Sequence, residues 1–161
     1  MNQFKRFLPS ILAIYSSVIF LDSLRYKFTN HENTQTIFGK LNDWAASLGA
    51  EGLFAQTGLF SQYVIGSAEL LASAALLLGL LPRFRRLQGF GALLGAAVMT
   101  GAIYFHTMTP LGTDPNEDGG LLFIMAMGVW ISCAALVVIR RREIGYGIGR
   151  IIEALLGQPV A

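Results

Sequence analysis

The sequence is poor in charged residues and contains a single cysteine. Asp, Glu, Lys and Arg make up only 14% of the 161 residues, whereas hydrophobic residues make up 53%. In soluble domains about a quarter of the residues are charged, so this composition indicates an integral membrane protein. Because Cys133 has no second cysteine to pair with, an intramolecular disulfide and a CxxC redox motif are excluded.

The signatures of soluble enzymes and of metal centres are also missing. The sequence has no Walker motif, no GxGxxG that opens a helix after a strand and no nucleophile elbow. Glu69, His106 and Asp118 could supply metal ligands in principle, but no two ligands have the HxxH or ExxH spacing of a helical metal site. We therefore predict no metal. The net charge of +2 gives no support to nucleic-acid binding.

Four apolar runs are each long enough to cross the roughly 30 Å hydrocarbon core of a bilayer, for which about 20 helical residues are needed. They cover about residues 8–28, 61–81, 89–109 and 119–139. The pattern predicts an all-α fold, a polytopic membrane four-helix bundle that forms a single domain over residues 1–161. The first run is followed by no clear small-x-small cleavage site, and we interpret it as an uncleaved anchor.

The distribution of basic residues predicts the orientation, because Lys and Arg are enriched in cytoplasmic segments. Nine of the 12 Lys and Arg residues flank one side of the four runs. They are Lys5, Arg6, Arg83, Arg85, Arg86, Arg140, Arg141, Arg142 and Arg150. Both termini are therefore predicted to be cytoplasmic.

Two further segments have the apolar periodicity of amphipathic helices. Between the first and second spans, the apolar positions run from Ile37 to Leu48 and include Trp44. We expect this helix to lie on the outer membrane surface or to cap the bundle. After the fourth span, apolar residues from Ile144 to Leu155 predict a second amphipathic helix on the cytoplasmic face.

A carboxylate interrupts the second span. Gln62, Gly66, Glu69 and Ser73 follow one another at helical spacing and form one narrow polar stripe. A charged side chain in hydrocarbon costs very roughly 3 kcal/mol or more, so Glu69 must be neutralised, paired or exposed to water. The stripe is therefore predicted to face protein.

Polar side chains also lie in the outer halves of the other spans. At about 1.5 Å per residue from the outer boundary, Asp22, Glu69 and His106 lie roughly 9, 12 and 5 Å deep. Gly91 and Gly95 begin a small-residue face that His106 continues, so the imidazole is expected to point towards protein. These positions predict one outward-facing polar pocket between the helices. Its candidate residues are Asp22, Arg25, Gln62, Glu69, Tyr104 and His106.

The pairing of the charges leaves alternatives. Asp22 and Arg25 are three residues apart and can pair on one helix face. Arg25 is expected to neutralise either Asp22 or Glu69, and Asp22 is expected to have an interior role. Lys27 could instead extend to the interface as an anchor. Asp118, which precedes two glycines, could cap the fourth helix or belong to the outer loop.

A pocket of this kind supports two different functions. A carboxylate and an imidazole a few ångströms apart could transfer a proton, and next to a quinone they could hydrogen-bond its two carbonyl oxygens. The same residues could serve only to hold the helices together, because buried ion pairs often specify packing without a catalytic role. The residues alone leave both readings open.

Several motifs together resemble the DoxX-like family of small bacterial inner-membrane proteins. They are KF at the end of the first span, GSAELLASAALLLGLLPR in the second, and HTMTPLG followed by DGGLLF around the third connection. The resemblance covers about residues 20–139. The chain departs from the family's pattern at Leu24, where a small residue is expected, and at Arg25, which is an added charge. KFTNHE is also similar to a related family linked to oxidant defence.

The resemblance implies a redox-linked, multi-pass protein of the bacterial inner membrane. Some members resemble a subunit of thiosulfate:quinone oxidoreductase, and others are associated with redox-stress membrane complexes. The first hypothesis is therefore a quinone-associated or accessory subunit, with quinone as the candidate cofactor. The alternative is a non-catalytic assembly subunit that binds other membrane subunits or copies of itself. A small-solute or proton-coupled transporter is a further alternative.

Overall fold

A computed structural model describes the backbone of residues 3–157 and the side chains of residues 7–157. Lys5 and Arg6, which contributed to the predicted orientation, have side chains outside that range. The described residues form an all-helical structure without strands. Its α-helices are α1 (Gln3–Phe28), α2 (Glu32–Ser47), α3 (Gln62–Leu78), α4 (Arg85–Met108) and α5 (Leu121–Leu156), with a 3-10 turn at Pro82–Phe84. The all-α prediction is confirmed.

Four of the helices pack as a closed ring. α1 contacts α3 and α5, and α4 contacts the same two helices from the other side. The short connection through Pro82 makes α3 and α4 antiparallel neighbours. One end of the bundle, here called the cap end, holds the end of α1, all of α2 and residues 109–120. The opposite end, here called the arginine end, holds the start of α4 and the second half of α5.

Among the described residues, three segments are long and apolar enough to cross a membrane: Phe7–Phe28, Pro82–Met108 and Leu121–Leu156. α3 is also apolar but has only 17 residues, which is about 26 Å of helix. Large apolar side chains cover the outside of the bundle. Ile11, Val18, Leu71, Ile131 and Val138 are each more than half exposed. Such an exterior is suited to lipid rather than water.

The segment after the fourth predicted span does not form a separate element. α5 runs without interruption for 36 residues and joins that span to the predicted C-terminal amphipathic helix. The helical conformation predicted for residues 144–155 is confirmed, but these residues continue the preceding span and do not form a second helix. Arg140, Arg141 and Arg142 favour helix, and no proline follows them before Gly157 ends α5 with a positive φ.

The helix between the first two spans caps the bundle. Leu41 and Ala45 of α2 are buried in an apolar cluster at the cap end, together with Phe54 and Leu111. The ring of Trp44 contacts the ring of Phe105 at the end of α4, with the two centroids 6.2 Å apart. This confirms the capping alternative, because α2 buries its apolar face against protein.

Glycines bring α4 close to its neighbours. A Cβ on Gly91 would lie 2.9 Å from the backbone oxygen of Ala72. A Cβ on Gly95 would lie 2.9 Å from Sγ of Cys133 and 3.1 Å from the ring of Phe20. Real Cβ atoms do not approach backbone this closely, so the Gly91–Gly95 face is the close-packing face that the sequence predicted.

We expect Gly91→Ala to lower the free energy of unfolding by about 1–3 kcal/mol, because the new methyl group would push α3 away from α4. Gly101→Ala is the matched control on the same helix, since its Cβ would meet only the ring of Phe105 at 3.9 Å. The control should leave stability unchanged or raise it by less than about 1 kcal/mol. Denaturant unfolding in detergent measures both. Equal losses in the two variants would contradict the close approach of α3 and α4.

Candidate functional site

The carboxylate of Glu69 is buried between α1 and α3 and is paired with Lys27. Glu69 is 3% exposed. The Lys27 ammonium lies 3.0 Å from Oε2 of Glu69 and 3.1 Å from Oε1. The hydroxyl of Ser23 donates a second hydrogen bond to Oε2 over 3.1 Å, and Lys27 also donates to the oxygen of Ser23. Both carboxylate oxygens therefore have donors within the bundle.

The local sequence explains how this pair forms. Ser23 and Lys27 are four residues apart, so they lie one above the other on the same face of α1. The polar stripe of α3 meets this face, and Gln62, Gly66, Glu69 and Ser73 are all buried as predicted. A Cβ on Gly66 would lie 3.4 Å from Cδ of Lys27. The lysine therefore crosses α3 at Gly66, where the absence of a side chain leaves room for it.

A hydrogen-bond network extends from the pair to α2. The Gln62 amide donates to the backbone oxygen of Lys27 over 2.7 Å and to Oδ1 of Asn30 over 2.6 Å. Gln35 of α2 donates to Oε1 of Gln62 over 2.7 Å. The hydroxyl of Tyr63 donates to Oδ1 of Asn30 over 2.9 Å. Gln62, which is 2% exposed, thus connects α1, α2 and α3.

The structure decides between the two partners expected for Arg25 and gives Glu69 a different cation, Lys27. Arg25 pairs with Asp22 at 3.1 Å, and their side chains are 75% and 56% exposed. The pairing of these two residues is confirmed, but the interior role expected for Asp22 was wrong. Lys27 does not extend outward either, since its side chain is only 15% exposed. At about 100° per residue, Asp22 and Arg25 lie on a different face of α1 from Ser23 and Lys27.

His106 is buried, as predicted, but at a different place from Glu69. Its Nδ1 lies 2.7 Å from the backbone oxygen of Gly112, and its ring lies beside that of Phe123. No hydrogen bond or ion pair within residues 7–157 joins His106 to Glu69. Tyr104 is half exposed. Of the six predicted pocket residues, Gln62 and Glu69 therefore share one network, Asp22 and Arg25 pair at the surface, and His106 and Tyr104 lie apart from both.

Acidic residues organise the loop that precedes α5. Asp118 accepts hydrogen bonds from the backbone amides of Leu121 and Leu122 over 3.0 and 3.3 Å, which confirms its role as a helix cap. Asp114 accepts from the amide of Asp118 over 2.8 Å. Desolvation tends to raise the pKa of Asp114. Backbone hydrogen bonds from Gly120, Asp118 and Gly119 have a larger combined effect in the opposite direction, so the pKa lies below its ordinary value.

A second buried polar contact lies at the arginine end. Arg140 is 6% exposed and donates from Nε to Oε1 of the buried Gln88 over 2.8 Å. Its Nη1 also lies 3.4 Å from Oε1 of Glu143. In the sequence, Arg140 indicated only the orientation of the chain. A signal for its contact was present, because the polar Gln88 follows the basic segment 83–86 at the start of the third span.

Two features bear on ligand binding. A shallow groove of about 390 Å³ lies between α3 and α4, and it is lined by Tyr63, Val64, Ser67, Ala68, Leu71 and Leu94. The described residues contain no group of three His, Cys, Asp or Glu side chains that could hold a metal ion. The groove is mainly apolar, with the hydroxyl of Ser67 on one wall.

Comparison with known families identifies one match. The family model described as DoxX matches residues 8–108, from within α1 to the end of α4. This is more than half of the 161 residues, and it confirms the resemblance drawn from the motifs. No curated protein and no solved structure matches the chain.

We expect Lys27→Met to destabilise the bundle by about 3–5 kcal/mol, because Glu69 would remain buried without a cation. The double variant Lys27→Met with Glu69→Leu should recover most of this loss, since it removes both charges. Arg25→Met is the control, and the loss of its exposed pair should amount to less than about 1 kcal/mol. Unfolding in detergent, analysed as a double-mutant cycle, measures these differences. The assignment fails if Lys27→Met and Arg25→Met are equally stable.

Proposed function

This chain belongs to the DoxX family, and from that premise we propose that it is a non-catalytic accessory subunit of a redox-linked membrane system. In this proposal the protein crosses a bacterial inner membrane four times, because α3 and the residues that follow it also form a span. Both termini lie on the cytoplasmic side. The family resemblance supports the link to redox chemistry. The contacts of Glu69 support the non-catalytic role.

The observation that supports a non-catalytic role is the complete pairing of Glu69. Both carboxylate oxygens accept hydrogen bonds from Lys27 and Ser23 inside the bundle. A general acid or base must reach the proton that it transfers, within hydrogen-bond distance of the reacting group. The Lys27–Glu69 pair instead joins α1 to α3, and Gln62 extends the connection to α2. Such a site holds helices in register.

A membrane assay separates this role from catalysis. Cells that lack the native protein receive wild type, Lys27→Met, or the double variant with Glu69→Leu, and the amount of the protein and the oxidoreductase activity of the membranes are measured together. In Lys27→Met, both quantities should fall in proportion. In the double variant, both should return towards the wild-type values, because a neutral apolar pair also packs α1 against α3.

The outcome that contradicts the proposal is a double variant present in normal amount but without oxidoreductase activity. Such a result would show that the charges act in the reaction and not only in the packing. Arg25→Met is the control for loss of a basic residue from α1, and it should leave both quantities unchanged.

The groove between α3 and α4 favours a second candidate, a quinone-associated subunit. Its volume of about 390 Å³ lies within the usual range of ligand pockets, about 300–1,000 Å³. The walls are apolar, and Ser67 could donate a hydrogen bond to a carbonyl oxygen.

Bound quinone tests this candidate directly. Ala68→Phe should fill the groove and lower quinone occupancy about tenfold, as read by native mass spectrometry and by the quinone-dependent thermal shift. Ala74→Phe is the matched control, because Ala74 is exposed on the same helix and does not line the groove. Equal occupancy in wild type and Ala68→Phe would exclude the groove as the quinone site.

A further inference from the structure

A second cavity lies at the arginine end, where the turn between α3 and α4 meets α5. Its volume is about 510 Å³. The lining residues are Pro82, Arg83, Arg85, Arg86 and Glu143. Three of the five are arginines and one is acidic, so the charge of the lining is strongly positive.

The single acidic residue of the lining is already engaged. Oε1 of Glu143 lies 3.7 Å from Nε of Arg85 and 3.4 Å from Nη1 of Arg140. Within residues 7–157, Arg83 and Arg86 form no ion pair with an acidic side chain. The cavity therefore has an uncompensated positive charge that an anion would neutralise.

Aromatic side chains lie next to these two arginines. The guanidinium of Arg86 lies 4.3 Å from the centroid of the Tyr146 ring on α5. The guanidinium of Arg83 lies 6.0 Å from the ring centroid of Phe84. A guanidinium stacked on a ring keeps its N–H groups free to donate at the edge, and planar guanidinium groups are well suited to bind the oxygens of a phosphate.

Exposed apolar side chains next to the cavity indicate the source of the phosphate. Leu81, Phe84 and Leu87 are 51%, 41% and 36% exposed. They belong to the same turn and the first turns of α4 as the arginines. A free phosphate ion would make no use of them, whereas the acyl chains of a lipid would contact them directly.

We infer that this cavity binds the phosphate of an anionic phospholipid, with Arg83 and Arg86 as the principal contacts and the acyl chains along Leu81, Phe84 and Leu87. A phospholipid head group and a free phosphate ion would present the same anion to the arginines, and we infer that the lipid is the one that binds. Clustered arginines at the end of a membrane helix lie at the depth of lipid head groups, where such contacts are favourable. The inference does not depend on the proposed function.

The test uses the full chain in detergent, titrated separately with dioleoyl phosphatidylglycerol, dioleoyl phosphatidylcholine and inorganic phosphate. Native mass spectrometry records the number of lipids retained. Wild type should retain phosphatidylglycerol with a preference of about tenfold over phosphatidylcholine, and the double variant Arg83→Gln with Arg86→Gln should lower its occupancy about tenfold. Arg83→Lys with Arg86→Lys should give an occupancy between those of wild type and the glutamine variant, since the charge remains but the planar guanidinium donors are lost.

The matched control is the double variant Arg142→Gln with Arg150→Gln. It removes the same number of charges from exposed positions of α5 that do not line the cavity, and it should change occupancy less than about twofold. Should the glutamine variant at 83 and 86 fail to fold, Arg83→Gln alone is measured and should lower occupancy about threefold.

Three results would overturn the inference. The first is equal retention of the two lipids by wild type. The second is an equal loss of phosphatidylglycerol in the cavity variant and in the control. The third is displacement of phosphatidylglycerol by inorganic phosphate at comparable concentration, which would assign the cavity to a free anion.

Discussion

The ion pair between Lys27 and Glu69 is the interaction on which the arrangement of α1 and α3 depends. In a membrane, apolar helix faces gain little by leaving lipid for protein, so packing and polar contacts must specify which faces meet. A buried carboxylate is strongly unfavourable without a cation, and only one rotation of α1 places Ser23 and Lys27 opposite Glu69. The pair therefore sets the register of the two helices.

The rest of the bundle is consistent with this constraint. Gln62 of α3 donates to the backbone oxygen of Lys27 in α1 and accepts a hydrogen bond from Gln35 of α2, so the capping helix is attached to the same polar network. Arg140 and Gln88 provide a buried polar contact between α4 and α5 at the opposite end. Between the two ends the contacts are mostly apolar and close, as at Gly91 and Gly95, and the thiol of Cys133 donates to the hydroxyl of Ser16 over 3.8 Å. Specificity is thus concentrated at the ends and close packing in the middle.

This distribution bears on function. A polar site whose donors and acceptors are all used within the bundle contributes to structure, and it leaves the outer surface for interactions with other molecules. The lipid-facing side chains, the groove beside Ser67 and the cavity beside Arg83 are the surfaces that remain open. These are the surfaces through which the proposed accessory subunit would contact other membrane components.

What the sequence determined by itself were the properties that depend on composition and period. Low charge and long apolar runs are enough to identify a helical membrane protein, and helical spacing is enough to bury the stripe from Gln62 to Ser73 and the face from Gly91 to His106. Asp118 could be identified as a cap because capping is local in the chain. Only the tertiary structure decided which charges meet. Depth in the membrane is a single coordinate, and Asp22, Arg25 and Lys27 all lie within the last two turns of α1, whereas a contact also requires the rotation of each helix. That rotation results from packing all the helices together, and it directed Lys27 to Glu69, left Arg25 with Asp22 at the surface and placed His106 against Gly112.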